Sequence, residues 1–178
     1  RYTLYCINLF YHGSSHIDYG HEDDFDRKTL SSVFGKTPEA LGLQRFSLIG
    51  FSLGGRICLE LLCDYADRID RVYLLAADGL SISRWYVFLT SNSLGRRWFL
   101  RSVQNPKIFL RLAGLFRRIG IVGEKQHKFA WNYFNTPEKR RKVYDVWMAF
   151  RHLLPDRQEV CKALLKNGLK VDLDRKSV

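Results

Sequence analysis

Ser52 has the setting most suggestive of covalent chemistry in this sequence, because it lies in the pattern Gly-x-Ser-x-Gly between Gly50 and Gly54. A serine becomes an accessible nucleophile when a sharp strand-to-helix turn lifts its hydroxyl clear of a sheet. Gly50 and Gly54 lack a Cβ, so we expect them to let the strand and the helix approach closely around the turn, and we expect Gly55 to allow the same close packing one residue later. We expect the backbone N–H of Leu53 to point where an oxyanion would develop, with the helix dipole behind it.

The residues around this motif have the periodicity that such a turn requires. Residues 46–49 and 72–77 are short apolar runs typical of buried strands. Between them, apolar side chains such as Ile57 and Leu61 recur at helical spacing and predict one apolar helix face. Strand, helix and strand in this order predict a right-handed βαβ unit in a parallel sheet. A glycine-rich turn that only packs or binds phosphate is the alternative, but the motif lacks the lysine of a P-loop.

The sequence as a whole divides into three parts. Residues 1–79 are predicted to form a partial α/β core, in which residues 2–10, rich in aromatic and β-branched side chains, form a further buried strand. Residues 80–168 have helical periodicity and are predicted to form an all-helical cap. Residues 169–178 resemble the truncated start of another core strand.

The segment from Arg45 to Gly55, followed by residues 71–79, resembles the α/β-hydrolase family of serine esterases and lipases. The resemblance implies an α/β fold class, namely a partial α/β-hydrolase fold with a mostly parallel sheet and an inserted all-helical cap. It also implies a catalytic triad in the chain order serine, acid, histidine. Ser52 would be the nucleophile and the Leu53 N–H an oxyanion donor. Asp78, at the end of the strand after the motif helix, is a candidate acid, although an ordinary turn aspartate would look the same.

The histidines of the sequence do not complete this triad. They are His12, His16, His21, His127 and His152. None follows a late strand in a Gly-His loop, where the family places its base. His12-Gly13 resembles the turn after the family's fourth strand more than the oxyanion loop after its third. We therefore expect the base and the oxyanion loop to lie outside this sequence, which would make it an internal piece of a longer hydrolase, inactive by itself.

The predicted cap is basic and aromatic. All four tryptophans and the whole excess of Lys and Arg over Asp and Glu lie between residues 84 and 170. Trp85, Phe88 and Trp131 are candidates for lining an acyl or aryl pocket, although the core of the cap would use the same side chains. Basic runs are usually solvated helix faces, and weak contact with an anionic membrane surface is the more specific alternative. We expect no nucleic-acid partner, because no recognition module accompanies the charge.

Composition narrows the class of protein. The chain is 46% hydrophobic with a net charge of +11, and it has no apolar run long enough to cross a bilayer. Its four cysteines lack metal-ligand spacing, so we expect free thiols in the cytoplasm and neither a metal nor another cofactor. Two functions remain. One is a serine hydrolase that cleaves a lipid-like or aromatic carboxylic ester through an acyl-enzyme on Ser52. The other is a non-catalytic binding or scaffold protein of the same fold.

Overall fold

A computed structural model describes residues 2–15, 25–105, 107 and 135–174 of the chain. The helices and strands in these residues, in chain order, are α1 (Arg27–Ala40), β1 (Phe46–Phe51), α2 (Leu53–Tyr65), β2 (Ile69–Leu75), α3 (Arg84–Ser91), α4 (Ser93–Gln104), α5 (Pro137–Ala149), α6 (Arg157–Asn167) and β3 (Lys170–Asp174).

These elements fall into two compact units, which are described separately. The sheet unit comprises Asp24–Arg84 and His152–Val178, and the helical unit comprises Arg1–Asp23 and Trp85–Arg151. The sequence predicts domain boundaries after residues 79 and 168. In the structure, the first residues of the chain group with the helices rather than with the sheet.

The sheet unit contains a parallel three-stranded sheet in the order β1-β2-β3. Gly50 of β1 is in register with Leu74 of β2, and Leu74 is in register with Leu173 of β3. Helix α2 connects β1 to β2, so the predicted βαβ unit is confirmed. The strand predicted to begin near residue 169 is present as β3.

Helix α2 is the centre of the sheet unit. It packs against β1, β2, α1 and α6, and every residue from Gly55 to Leu62 is buried. Leu61 and Leu62 are at most 1% exposed, as are Val72 and Leu74 of β2. The sequence predicted one apolar face, but neighbours on several sides bury charged residues of this helix as well. Arg56 and Glu60 are only 2% and 4% exposed.

The helical unit has its own apolar core. Leu89 of α3, Phe99 and Val103 of α4, and Val143 of α5 are buried together. Gly95 allows α4 to approach α3, because a Cβ there would collide with the backbone carbonyl of Phe88. Thr136 caps the start of α5, because its hydroxyl accepts a hydrogen bond from the Lys139 N–H at 3.3 Å, and Pro137 is the first residue of the helix.

The strand predicted for residues 2–10 is wrong. These residues adopt no regular secondary structure, and the sheet of the described residues contains only β1, β2 and β3. Tyr2 is 97% and Leu4 is 71% exposed. Only the end of this segment packs on an aromatic partner, where Phe10 stacks on Phe150 with ring centroids 6.2 Å apart. An apolar composition predicts that a segment would be buried in a sheet, but it does not supply the neighbouring strand.

Candidate active site

Ser52 makes the entire turn between β1, which ends at Phe51, and α2, which begins at Leu53. Its φ of 50° and ψ of −114° lie in a region that side-chain-bearing residues rarely occupy. Such a conformation costs about 1–3 kcal/mol and persists only where the surrounding structure enforces it. The strained strand-to-helix turn predicted at Ser52 is therefore present.

Three main-chain hydrogen bonds hold the Ser52 peptide groups in place. The Ser52 N–H donates to the Leu75 carbonyl at 3.0 Å. The Ser52 carbonyl accepts from the N–H of Gly55 and from the N–H of Asp78, both at 2.9 Å. Two of these three bonds come from the end of β2 and the loop after it. The turn therefore depends on a segment more than 20 residues away in sequence.

The glycines of the motif contribute unequally to this packing. A Cβ on Gly50 would lie 2.5 Å from the Gly54 carbonyl oxygen, and a Cβ on Gly55 would lie 2.8 Å from Ala77 Cα and collide with its side chain. A Cβ on Gly54 would meet nothing within 4 Å. The expected close approach is thus confirmed at Gly50 and Gly55, and it is wrong at Gly54.

The side chain of Ser52 is exposed. Its hydroxyl does not cap α2, and it makes no hydrogen bond to any other described residue. The N–H of Leu53, the first residue of α2, likewise has no acceptor within the described ranges. A hydroxyl in this position can attack a carbonyl carbon. The adjacent N–H at the helix N-terminus can then stabilise the oxyanion that forms.

Asp78 lies close to Ser52 through its backbone, but its carboxylate is engaged elsewhere. It accepts a hydrogen bond from the guanidinium of Arg56, in the first turn of α2. The Arg56 side chain is 2% exposed and the Asp78 side chain 38% exposed. Sequence reasoning missed Arg56. Its signal was the lone cation of a mostly apolar helix, because a buried cation requires a partner.

The histidines do not reach Ser52 in the residues that the structure describes. His16, His21 and His127 lie outside those residues. His12 lies in a turn where its Nδ1 is 3.0 Å from the Phe10 carbonyl oxygen, and His152 is exposed. No described histidine is hydrogen-bonded to the Ser52 hydroxyl.

The proposed pocket residues of the cap are only partly visible. Trp131 and the side chain of Trp85 lie outside the described part of the structure. Phe88, on α3, is 42% exposed. Within the described residues, no group of three or more His, Cys, Asp or Glu side chains is placed to hold a metal ion. None of the described helices is long and apolar enough to cross a membrane.

A second polar cluster surrounds Glu60, about two helical turns beyond Ser52 along α2. Burial raises the pKa of Glu60 to about 7, although the Arg27 guanidinium, 3.9 Å away, opposes this shift. Arg27 also binds Asp64 and Glu159, the latter at 2.6 Å. Burial alone would raise the pKa of Asp64, but hydrogen bonds from Arg27 and Ser31 lower it. One cation thus joins carboxylates from α2 and α6 to α1.

Comparison with known proteins gives one matching family model and two similar solved structures. The sequence model of the alpha/beta hydrolase fold matches residues 1–145. The chain is similar to the crystal structure of an alpha/beta hydrolase enzyme from a Medee basin deep-sea metagenome library, with a TM-score of 0.54 and 16% identity, over 92% of this chain and 57% of that one. A Salmonella enterica protein assigned provisionally to the acyltransferases has a TM-score of 0.44 and 17% identity, over 92% and 59%. No curated protein sequence matches.

Proposed function

Since this chain belongs to the alpha/beta hydrolase fold family, we propose that it is a serine hydrolase that cleaves carboxylic esters through an acyl-enzyme on Ser52. One observation carries this proposal. Ser52 has a strained positive φ at a strand-to-helix junction, with an exposed hydroxyl beside the free N–H of Leu53. Strain of this kind persists where the surrounding fold maintains it, and it clusters at active sites.

In the proposed reaction, the Ser52 oxygen attacks the ester carbonyl carbon while a general base takes the hydroxyl proton. The carbonyl electron pair moves onto oxygen, where the Leu53 N–H donates a hydrogen bond to it. When that pair returns, the alcohol leaves with the proton held by the base, and the acyl group remains on Ser52. Water then repeats the sequence and releases the acid. We propose that the base and a second oxyanion donor come from outside the described residues.

The proposed substrate is a lipid-like or aromatic ester. The aromatic content of the predicted cap supports this choice, with Phe88, Trp85 and Trp131 as candidate contacts for an apolar acyl or aryl group. The net charge of +11 supports weak attraction to an anionic membrane surface, from which a lipid-like ester would be taken. We propose a cytoplasmic location on the basis of the cysteine usage noted above.

Ester turnover by the complete gene product tests this function. We expect hydrolysis of short aryl esters, and we expect Ser52→Ala to lower turnover by about 10⁶, the usual cost of removing a triad nucleophile. Ser47→Ala is the matched control, because Ser47 is an exposed serine on β1, and it should leave turnover unchanged. A folded gene product that ignores a broad panel of esters would instead favour the non-catalytic binding protein. Turnover that survives Ser52→Ala would place the nucleophile elsewhere.

A further inference from the structure

The geometry points to Arg56 and Asp78 as a positioning pair that holds Ser52 in its strained conformation. This inference rests on the proposed function of Ser52 as a nucleophile and adds residues to its machinery. In it, Asp78 acts through its backbone and through Arg56, and it does not serve as the acid of the triad.

The strain at Ser52 requires support from outside the turn itself. Gly55, in the same helix, provides one of the three hydrogen bonds to the Ser52 backbone. The other two bonds involve Leu75 and Asp78, which bracket the start of the loop after β2. If this loop moved away from α2, Ser52 would lose the hydrogen bond from the Asp78 N–H, which is one of its three restraints. Its backbone would then be free to relax toward a conformation of lower energy.

The loop after β2 has an irregular backbone that needs restraint of its own. Ala76 has a φ of 46° and Gly79 a φ of 104°, so two of the first four residues of this loop lie in the left-handed half of conformational space. The loop nevertheless packs tightly on the first turn of α2. A Cβ on Gly79 would lie 3.1 Å from Arg56 Cα, and Ala77 lies against Gly55.

The bond between Arg56 and Asp78 connects these two pieces through side chains. Arg56 is almost fully buried, and breaking a buried ion pair strands a charge in an apolar environment, which fixes the partner in place. The N–H of the same aspartate donates to the Ser52 carbonyl. Asp78 therefore connects the two residues. Its carboxylate binds Arg56, and its backbone N–H binds Ser52.

The same bond argues against Asp78 as the acid of the triad. A triad acid accepts a hydrogen bond from the histidine and stabilises the positive charge that forms on it. The carboxylate of Asp78 already accepts from a permanently charged guanidinium. The negative charge of the Asp78 carboxylate is thus largely neutralised by Arg56 and cannot stabilise a histidine cation as a triad acid does.

Backbone amide hydrogen exchange tests the pair without requiring activity. In Asp78→Asn we expect the amides of Ser52, Gly55 and Asp78 to exchange about tenfold faster, the cost of weakening one charged hydrogen bond. The matched control is Asp70→Asn, which weakens an exposed pair of the same unit, Arg45–Asp70 at 2.6 Å. It should leave the three amides unchanged. Equal exchange in the two variants would overturn the inference.

Should Asp78→Asn fail to fold, Asp78→Glu gives the decision, because it keeps the charge and displaces it by one methylene. Faster exchange at the three amides would support the positioning role, and unchanged exchange would refute it. Both measurements stand even if the complete gene product hydrolyses no ester, in which case the proposed function fails and the role of the pair is still decided.

The rate of reaction of Ser52 with a fluorophosphonate separates positioning from acid catalysis. For a positioning residue we expect Asp78→Asn to slow labelling about tenfold at all pH values, with the midpoint of the pH profile unchanged. Loss of about 10⁴ with a displaced midpoint is the result expected of a triad acid, and it would contradict the inference.

Discussion

The conformation of Ser52 depends on glycines that permit close packing around the turn and on specific main-chain hydrogen bonds. Gly50 and Gly55 leave room for the turn on either side, and the loop after β2 restrains the Ser52 peptide groups. The motif predicted the conformation of Ser52, because Gly-x-Ser-x-Gly between a strand and a helix is a local signal. It did not predict Arg56 or the hydrogen bond from Asp78, because both depend on where a distant loop packs.

Glu60 shows how a single residue makes stability depend on pH. Its pKa is 4.5 as an ordinary glutamate and about 7 in the fold, since burial disfavours its charged form. The folded state therefore holds the proton more tightly than the unfolded state. The resulting stabilisation is fully present below pH 4.5 and is lost as the pH rises through 7.

Denaturant unfolding at several pH values should reveal this dependence. We expect the free energy of unfolding to fall between about pH 4.5 and pH 7 by up to about 3 kcal/mol from Glu60, and Glu60→Gln to remove most of that slope. Glu159→Gln is the control, because Glu159 binds the same Arg27 but is 54% exposed, so its removal should change little. A slope that Glu60→Gln leaves intact would mean that another group titrates.

Helix α2 illustrates which features of an element follow from sequence and which do not. The spacing of Ile57 and Leu61 predicted a helix with one apolar face, and the helix is confirmed. Its burial on several sides depends on α1 and α6, which approach from remote parts of the chain. The same reasoning explains why the strand predicted for residues 2–10 is wrong. A strand requires a partner, and composition does not reveal whether one is present.

The contact between α2 and the loop after β2 makes opposite predictions for two adjacent glycines. Gly55→Ala should lower the free energy of unfolding by about 1–3 kcal/mol, because its Cβ collides with Ala77. Gly54→Ala should be neutral or stabilise by about 0.4–1 kcal/mol, because the site is open and alanine favours a helix. Urea unfolding of the two variants makes the comparison. Equal destabilisation would show that the close approach at Gly55 is absent.

On the scale of the whole molecule, the sheet unit carries Ser52 and the helical unit carries the aromatic residues proposed to bind the substrate. The chain spans 57% of the solved alpha/beta hydrolase to which it is similar. The activity proposed above is therefore to be tested on the complete gene product. The family could be predicted from the nucleophile motif and its flanks, and residues 1–145 match the family sequence model. Substrate chemistry could not be predicted, because one fold supports many reactions.

Mass spectrometry after reaction with a fluorophosphonate shows directly whether Ser52 is the nucleophile. Trypsin cleaves after Arg45 and Arg56, so the peptide of residues 46–56 contains Ser52 together with the control residue Ser47. In the complete gene product we predict a single adduct on Ser52, which is absent from Ser52→Ala. An adduct on Ser47, or an unlabelled peptide of residues 46–56 from a folded protein that hydrolyses esters, would show that Ser52 is not the nucleophile.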